Sequence, residues 1–139
     1  MQALCALVRQ YGPLVGRVLI TAIFLISGYH KIVGFSAVSG MMAKMGMPMA
    51  DLLLVGAIVC ELGGAIMVLL GWNACLGALL LIVFTVPATL IFHNFWAVDP
   101  AQYQNQFNHF MKNLAIIGGL AYVMAAGSGP YSLKGEKRS

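Results

Sequence analysis

Two ionisable residues fall within apolar stretches of the sequence, and they are the first candidates for chemistry. Glu61 lies near the middle of one apolar run, and Arg17 lies close to the start of another. A charge at the bilayer centre costs at least about 2.5–3.5 kcal/mol, so both side chains are expected to face other helices or a wet cavity. Their levels differ by about 10 Å, most of which a long arginine side chain can cover. The two are therefore candidates for a pair, either as structural glue or with Glu61 handling protons.

A second polar group is expected where the first, third and fourth apolar runs reach one membrane surface. Its imidazole, ammonium and amide groups could hold the carbonyl oxygens of a quinone or lipid head group, beside aromatic rings. Three imidazoles could also bind a metal, but no pair has the helical spacing of two ligands, and we predict no metal site. The remaining alternative is a belt of interfacial anchors. The group consists of His30, Lys31, His93, Asn94, His109, Lys112 and Asn113.

The composition indicates that a lipid bilayer surrounds these residues. Of the 139 residues, 60% are hydrophobic and 9% are charged, whereas soluble domains carry about 25% charged residues. The mean hydropathy is +0.87. The net charge of +4 comes from eight basic residues, several of them in or beside apolar runs. This distribution favours a role in membrane orientation and argues against a nucleic-acid partner. The three cysteines form no C-x-x-C pair, which disfavours a thiol–disulfide relay.

Apolar runs of spanning length predict an all-α membrane protein, a bundle of four transmembrane helices. Residues 1–130 are expected to form a single domain, and residues 131–139 a polar, frayed tail. Four crossings put both termini on one side, and the modest excess of Lys and Arg there favours the cytoplasm. The long connections 30–48 and 93–109 would then lie outside. The predicted spans are 14–30, 49–70, 74–92 and 110–126.

The first span has one polar stripe, which we expect to face the inside of the bundle. At 100° per residue its members fall close together on the helix surface. With charge at both ends, the stripe is compatible with a narrow pocket or with plain helix packing. Its members are Arg17, Thr21, Phe24, Gly28 and Lys31.

Small residues at four-residue spacing predict where the helices approach each other closely. In the second span these are Gly56, Cys60 and Gly64, and the third span offers Gly77 near its start. We expect them to serve helix–helix contact and not ligand binding.

Several short segments together resemble the DoxX family, in its order and over about residues 14–122. They are Arg17 followed by residues 24–32 (FLISGYHKI), residues 61–64 (ELGG) leading to 70–71 (LG), and residues 112–115 (KNLA) leading to 118–120 (GGL). The resemblance implies a small four-helix protein of the inner membrane. The family's name derives from a subunit of a thiosulfate:quinone oxidoreductase, and other members are linked to membrane redox complexes or have no assigned activity. Arg17, Lys31, Glu61, Lys112 and Asn113 match the family pattern, and His93 resembles a recurrent feature at the end of the third helix.

The function expected from this resemblance is that of an accessory subunit or scaffold of a membrane redox complex, which could hold a quinone or lipid at the outer face. One alternative is a catalytic component of a quinone-linked oxidoreductase, and a second is a small-molecule or ion carrier. No cofactor other than a quinone is implied. Besides the bilayer, a protein partner or a second copy of the chain is expected. The candidate ligand-binding residues are Arg17, Lys31, Glu61, His93, Lys112 and Asn113.

Overall fold

The structure, a computed structural model, describes residues 1–133, and these form five α-helices and one short 3-10 helix. No strand occurs in this part of the chain. Residues 134–139 of the expected tail lie outside the described residues. The elements are α1 (Gln2–Val33), α2 (Phe35–Lys44), α3 (Ala50–Leu70), α4 (Ala74–Phe92), the 3-10 helix Phe95–Ala97 and α5 (Pro100–Ala126).

Four of the helices are long and apolar enough to cross a membrane, which confirms the expected all-α fold with four spans. They are α1, α3, α4 and α5. Large side chains such as Leu19, Val59 and Val83 are exposed on the outside of the bundle. In a soluble protein such surfaces would be a liability, but here they suit contact with lipid tails.

Two of the spans begin earlier than the sequence predicts. Helix α1 starts at Gln2 and not near residue 14, and it continues through Pro13. Its 32 residues make it about 48 Å long, more than the about 30 Å of a hydrocarbon core. Helix α5 starts at Pro100 and not near residue 110. Proline suits the first turn of a helix, where its missing N–H would have no helical partner.

The four long helices pack in the order α1, α3, α4, α5, and the seam between α1 and α5 is the weakest of the interfaces. The closest approach of α3 to α4 is at Gly64 and Gly77, where a Cβ on either glycine would lie 2.8 Å from the other's carbonyl oxygen. This confirms Gly64 and Gly77 as packing positions. Gly56 is exposed with nothing nearby, so the predicted stripe on α3 does not follow the interface.

The connection between the first two spans is itself mostly helical. Residues 35–44 form α2, which packs against α3 and the end of α1. The buried Met42 contacts a small cluster with Ala50 and Leu54, joined by Phe92 of α4. Helix α2 therefore covers one end of the bundle. We call this end the Lys31 end, and the opposite one the Arg17 end.

At the Arg17 end, the chain after α5 folds back onto the bundle. The N–H of Leu133 donates to the carbonyl of Leu70 at 2.9 Å. The buried hydroxyl of Ser128 donates to the carbonyl of Gly71 at 3.0 Å. The ring of Tyr131 stacks on Tyr11 with centroids 5.5 Å apart. These contacts place residues 131–133 against α1 and the α3–α4 turn.

Candidate functional site

All five α-helices contribute to a cavity of about 440 Å³ at the Lys31 end. Its lining residues recur every three or four positions on each helix, as expected when one face of each helix points to a common centre. Most of the wall is apolar, and the polar groups enter it from α1, α3, the end of α4 and α5. Five of the six candidate residues line it, namely Lys31, Glu61, His93, Lys112 and Asn113.

An ion pair between α1 and α3 lies in the wall of the cavity. The Nζ atom of Lys31 lies 2.8 Å from Oε2 of Glu61, whose side chain is 1% exposed. The same Nζ donates to Oγ of Ser27 at 2.6 Å and lies 5.3 Å from the ring centroid of Phe84. The buried carboxylate thus has a counter-charge, and the ammonium has further partners in a hydroxyl and an aromatic face.

Close contact between α1 and α3 makes this pair possible. Gly28 lies directly against the side chain of Leu62, leaving no room for a Cβ on α1. One turn further along, Lys31 therefore faces Glu61 across a short gap. Lys31 is only 22% exposed, although it lies two residues before the end of α1. Lys31 therefore faces the inside of the bundle, as expected for the polar stripe of α1.

A second polar cluster lies where α4 ends and α5 passes it. Nδ1 of His93 lies 2.9 Å from Oε1 of Gln106, and the His93 ring stacks on His109 with centroids 5.0 Å apart. Nζ of Lys112 lies 3.1 Å from Nδ1 of His109. A charged ammonium can only donate, so this nitrogen of His109 accepts, and the ring proton belongs on the other nitrogen.

Asn113 links α5 to the polar side of α4. Its Nδ2 donates to Oγ1 of Thr89 at 2.9 Å, and that hydroxyl donates to the carbonyl of Thr85 at 2.6 Å. Both threonines are buried. This chain of hydrogen bonds fixes the Asn113 side chain at the cavity wall, where its amide can face a ligand.

Arg17 takes no part in this site, and the candidate pairing with Glu61 is wrong. Arg17 is 2% exposed at the Arg17 end, where Nη2 donates to the carbonyls of Tyr131 at 2.7 Å and Pro130 at 3.3 Å. Its Nη1 is buried without a hydrogen-bond partner in the described part of the chain. The physical reason is competition: the returning C-terminal segment offers Arg17 free carbonyls, and Lys31 reaches the carboxylate from the other end.

Comparison with known proteins identifies the family. Residues 12–94 match DoxX. The chain belongs to the DoxX family. Over 125 residues it is 31% identical to the inner membrane protein YphA of Escherichia coli, covering 90% of this chain and 88% of that one. It is 34% identical to the inner membrane protein YqjF of the same organism, again over 125 residues, 90% of this chain and 91% of the relative.

A eukaryotic relative is matched over part of its length. The chain is 29% identical over 132 residues to a Surfeit locus protein 4 homolog of Schizosaccharomyces pombe, covering 94% of this chain and 39% of that protein. No solved structure matches the chain. The family, the bacterial relatives and the four candidate spans establish a multi-pass protein of the inner membrane.

Sequence reasoning missed several residues of this DoxX-family site. Ser27, Phe84 and Thr85 line the cavity, and Met42 reaches it from α2. The helical spacing of Ser27 to Lys31, and of Thr85 to Thr89 and His93, was visible in the sequence. His30, by contrast, is exposed and does not line the cavity. Within residues 1–133, no group of three His, Cys, Asp or Glu side chains is placed to hold a metal ion.

Proposed function

We propose that this DoxX-family protein is an accessory subunit of a membrane redox complex, and that its cavity holds the head group of a quinone. The observation that carries the proposal is the combination of apolar walls with several hydrogen-bond donors in a single cavity. Five of the candidate residues converge there although they come from four different parts of the chain.

The size and lining of the cavity support a small amphiphilic ligand. Its volume of about 440 Å³ falls within the about 300–1,000 Å³ of typical ligand pockets, which are mostly apolar with a few orienting polar groups. A quinone ring has two flat apolar faces and carbonyl oxygens at its edge. The rings of Phe84 and Phe92 offer apolar contact, and Lys112 and Asn113 offer donors to the carbonyl oxygens.

The weak seam between α1 and α5 supports entry from the bilayer. Ile23 of α1 and Ile116 of α5 line the cavity and lie on the helices that border this seam. A ligand whose head group occupies the cavity could leave its isoprenoid tail between these helices, in contact with lipid. This arrangement suits a ligand that is dissolved in the membrane.

The accessory role rests on the family and on the composition of the site. The names of the two bacterial relatives describe inner membrane proteins and state no reaction. The resemblance links the family to quinone-dependent redox complexes. The cavity offers histidine and lysine side chains, which can exchange protons with a bound quinone, and the amide of Asn113, which can donate a hydrogen bond to it.

The test is a measurement of quinone binding by the purified full-length protein. Quinone extracted after mild detergent purification is quantified, and a short-chain quinone is then titrated while quenching of Trp96 fluorescence is followed in a Trp72→Phe background. We expect saturable binding that Lys112→Ala weakens about tenfold, since a hydrogen bond to a charged group contributes about 1.5–3 kcal/mol. Lys44→Ala is the matched control, because Lys44 does not line the cavity.

Each outcome separates the candidate functions. Absence of both bound quinone and saturable quenching would refute the quinone proposal. Displacement of the quinone by anionic phospholipid, with phospholipid retained during purification, would identify a lipid head group as the occupant. Co-purification with quinone-reducing activity that is lost on dissociation supports the accessory role. Quinone reduction by the isolated chain with a small reductant would instead favour the catalytic alternative.

A further inference from the structure

The cavity is lined by two lysines and one glutamate, so its positive charges outnumber its negative ones. This excess affects which ligands the cavity can bind. Lys31 and Glu61 neutralise each other at 2.8 Å. Lys112 is a second ammonium group on the same cavity, and no carboxylate lies within 4 Å of it among residues 1–133. The other acidic residues of the described chain, Asp51 and Asp99, do not line the cavity.

None of the neighbouring groups supplies the missing negative charge. The contact of Lys112 is a neutral imidazole nitrogen of His109, and behind it lies the ring of His93, bound to the amide of Gln106. Asn113 contributes an amide and α2 contributes Met41 and Met42. With neutral histidines the cavity therefore carries one excess positive charge.

An excess positive charge in a cavity favours the binding of an anionic ligand. A concave site with low-dielectric walls focuses the field of the charges that line it, so that an anion is attracted more strongly than on an open surface. Lys112 is exposed at the rim of the cavity, so water solvates its ammonium when the cavity is empty. An apolar ring that fills the cavity displaces water from the cavity side of the ammonium, which then faces the ligand.

We propose that the cavity selects a quinone bearing an acidic ring hydroxyl and binds it as the anion, with the ionised oxygen facing Nζ of Lys112. The proposal rests on the quinone-binding function above and specifies its ligand class. Binding breaks the ring O–H bond, the proton passes to water or buffer, and the electron pair stays on the oxygen. One proton is released per ligand bound from its neutral form, and no electron is transferred.

The test compares two probes that differ in one hydroxyl. These are an alkylated hydroxynaphthoquinone and the naphthoquinone with the same alkyl chain but no hydroxyl, each titrated into the detergent-purified protein. The ionised hydroxyquinone absorbs visible light, so a pH titration gives the apparent pKa of the bound hydroxyl directly. We expect this pKa to be about one unit lower on the wild-type protein than on Lys112→Gln, which corresponds to a tenfold preference for the anion.

Two variants serve as controls for charge and for folding. Lys112→Arg keeps the charge and should keep the lowered pKa of the probe. Lys44→Gln removes a charge of the same sign on α2, away from the cavity lining, and should behave as the wild type. If Lys112→Gln does not fold, the two probes are compared on the wild-type protein alone. At a pH where its hydroxyl is ionised, the hydroxynaphthoquinone should bind about tenfold more tightly than the naphthoquinone without the hydroxyl.

The outcomes distinguish this inference from the function on which it rests. If both probes bind equally, and the pKa of the hydroxyl is the same on wild type and Lys112→Gln, the charge selection is refuted while quinone binding stands. If neither probe binds, the quinone proposal fails and the inference fails with it. Loss of the pKa difference at high salt, with binding of the neutral probe unchanged, would support the electrostatic origin.

Discussion

The ion pair between Lys31 and Glu61 allows a sharp mutational test, because its two partners differ in exposure. The Glu61 side chain is 1% exposed and that of Lys31 is 22% exposed. In Lys31→Met the carboxylate, which is almost completely buried, loses its counter-charge. Removing one partner of a buried pair costs about 3–5 kcal/mol, and we expect the free energy of unfolding to fall by that amount.

The complementary substitution should be milder. In Glu61→Gln the ammonium of Lys31 keeps the hydroxyl of Ser27 at 2.6 Å and the face of Phe84. Its flexible stem also lets the charge move toward water at the bundle end. We expect a loss of about 1.5–3 kcal/mol, the contribution of a hydrogen bond to a charged group. The double variant, Lys31→Met with Glu61→Gln, should be more stable than Lys31→Met alone, since no unpaired buried charge remains.

The assay is unfolding by SDS in mixed micelles at neutral pH, followed by far-UV circular dichroism. Lys44→Met makes the same chemical change on α2 at a residue that is exposed. As a surface substitution, it should alter the free energy of unfolding by no more than about 0.5 kcal/mol. Equal losses for the two single variants, with a double variant equal to their sum, would refute both the pairing and the asymmetry.

Three further predictions concern helix packing and the polar contacts. Gly77→Ala should cost about 1–3 kcal/mol of unfolding free energy by pushing α4 from α3, while Gly63→Ala, with nothing within 4 Å, should cost none in the same SDS assay. Arg17→Gln should accelerate amide hydrogen exchange in residues 127–133 without changing quinone affinity, and unchanged exchange would contradict its role in holding that segment. Asn113→Leu should lower the unfolding free energy by about 1 kcal/mol and weaken quinone binding; a loss of stability alone would remove Asn113 from the site.

The spans and the inward stripe of α1 follow from sequence because they depend on one helix at a time. Length and apolarity are enough to define a membrane helix. On α1, Arg17, Thr21, Phe24 and Gly28 are all buried, as the 100° spacing predicts. Each of these statements requires only the geometry of a single α-helix, which is the same in every protein.

The partner of Glu61 could not be derived in this way. The spacing places Arg17 and Lys31 on one face of α1, so either could meet a carboxylate on a neighbouring helix. The choice depends on the vertical offset of α1 against α3, which the contact of Gly28 with Leu62 fixes. It also depends on where the residues after α5 lie. A pattern within one helix contains neither piece of information.

Helix α2 was missed for a related reason. Its ten residues, FSAVSGMMAK, include glycine and serine and are too short to span a membrane. As an isolated segment it would be marginal, since helices shorter than about 12–15 residues are barely stable in water. Its stability comes from tertiary contacts of Phe35, Val38 and Met42 with α3 and Phe92. The same helix contributes Met42 to the cavity that Lys31 lines.

The separation of the two polar regions bears on the carrier alternative. The core residues Phe24, Ala65, Val68, Leu81 and Leu120 are 0–4% exposed and pack together. Along α1, Phe24 lies between Arg17 and Lys31, and along α3, Ala65 and Val68 lie between Glu61 and the turn that faces Arg17. This apolar layer separates the cavity from the Arg17 end. A carrier would have to part these side chains to join the two ends, whereas a ligand entering between α1 and α5 reaches the polar groups with the layer intact. The packing of the core therefore favours binding at one end over transport through the bundle.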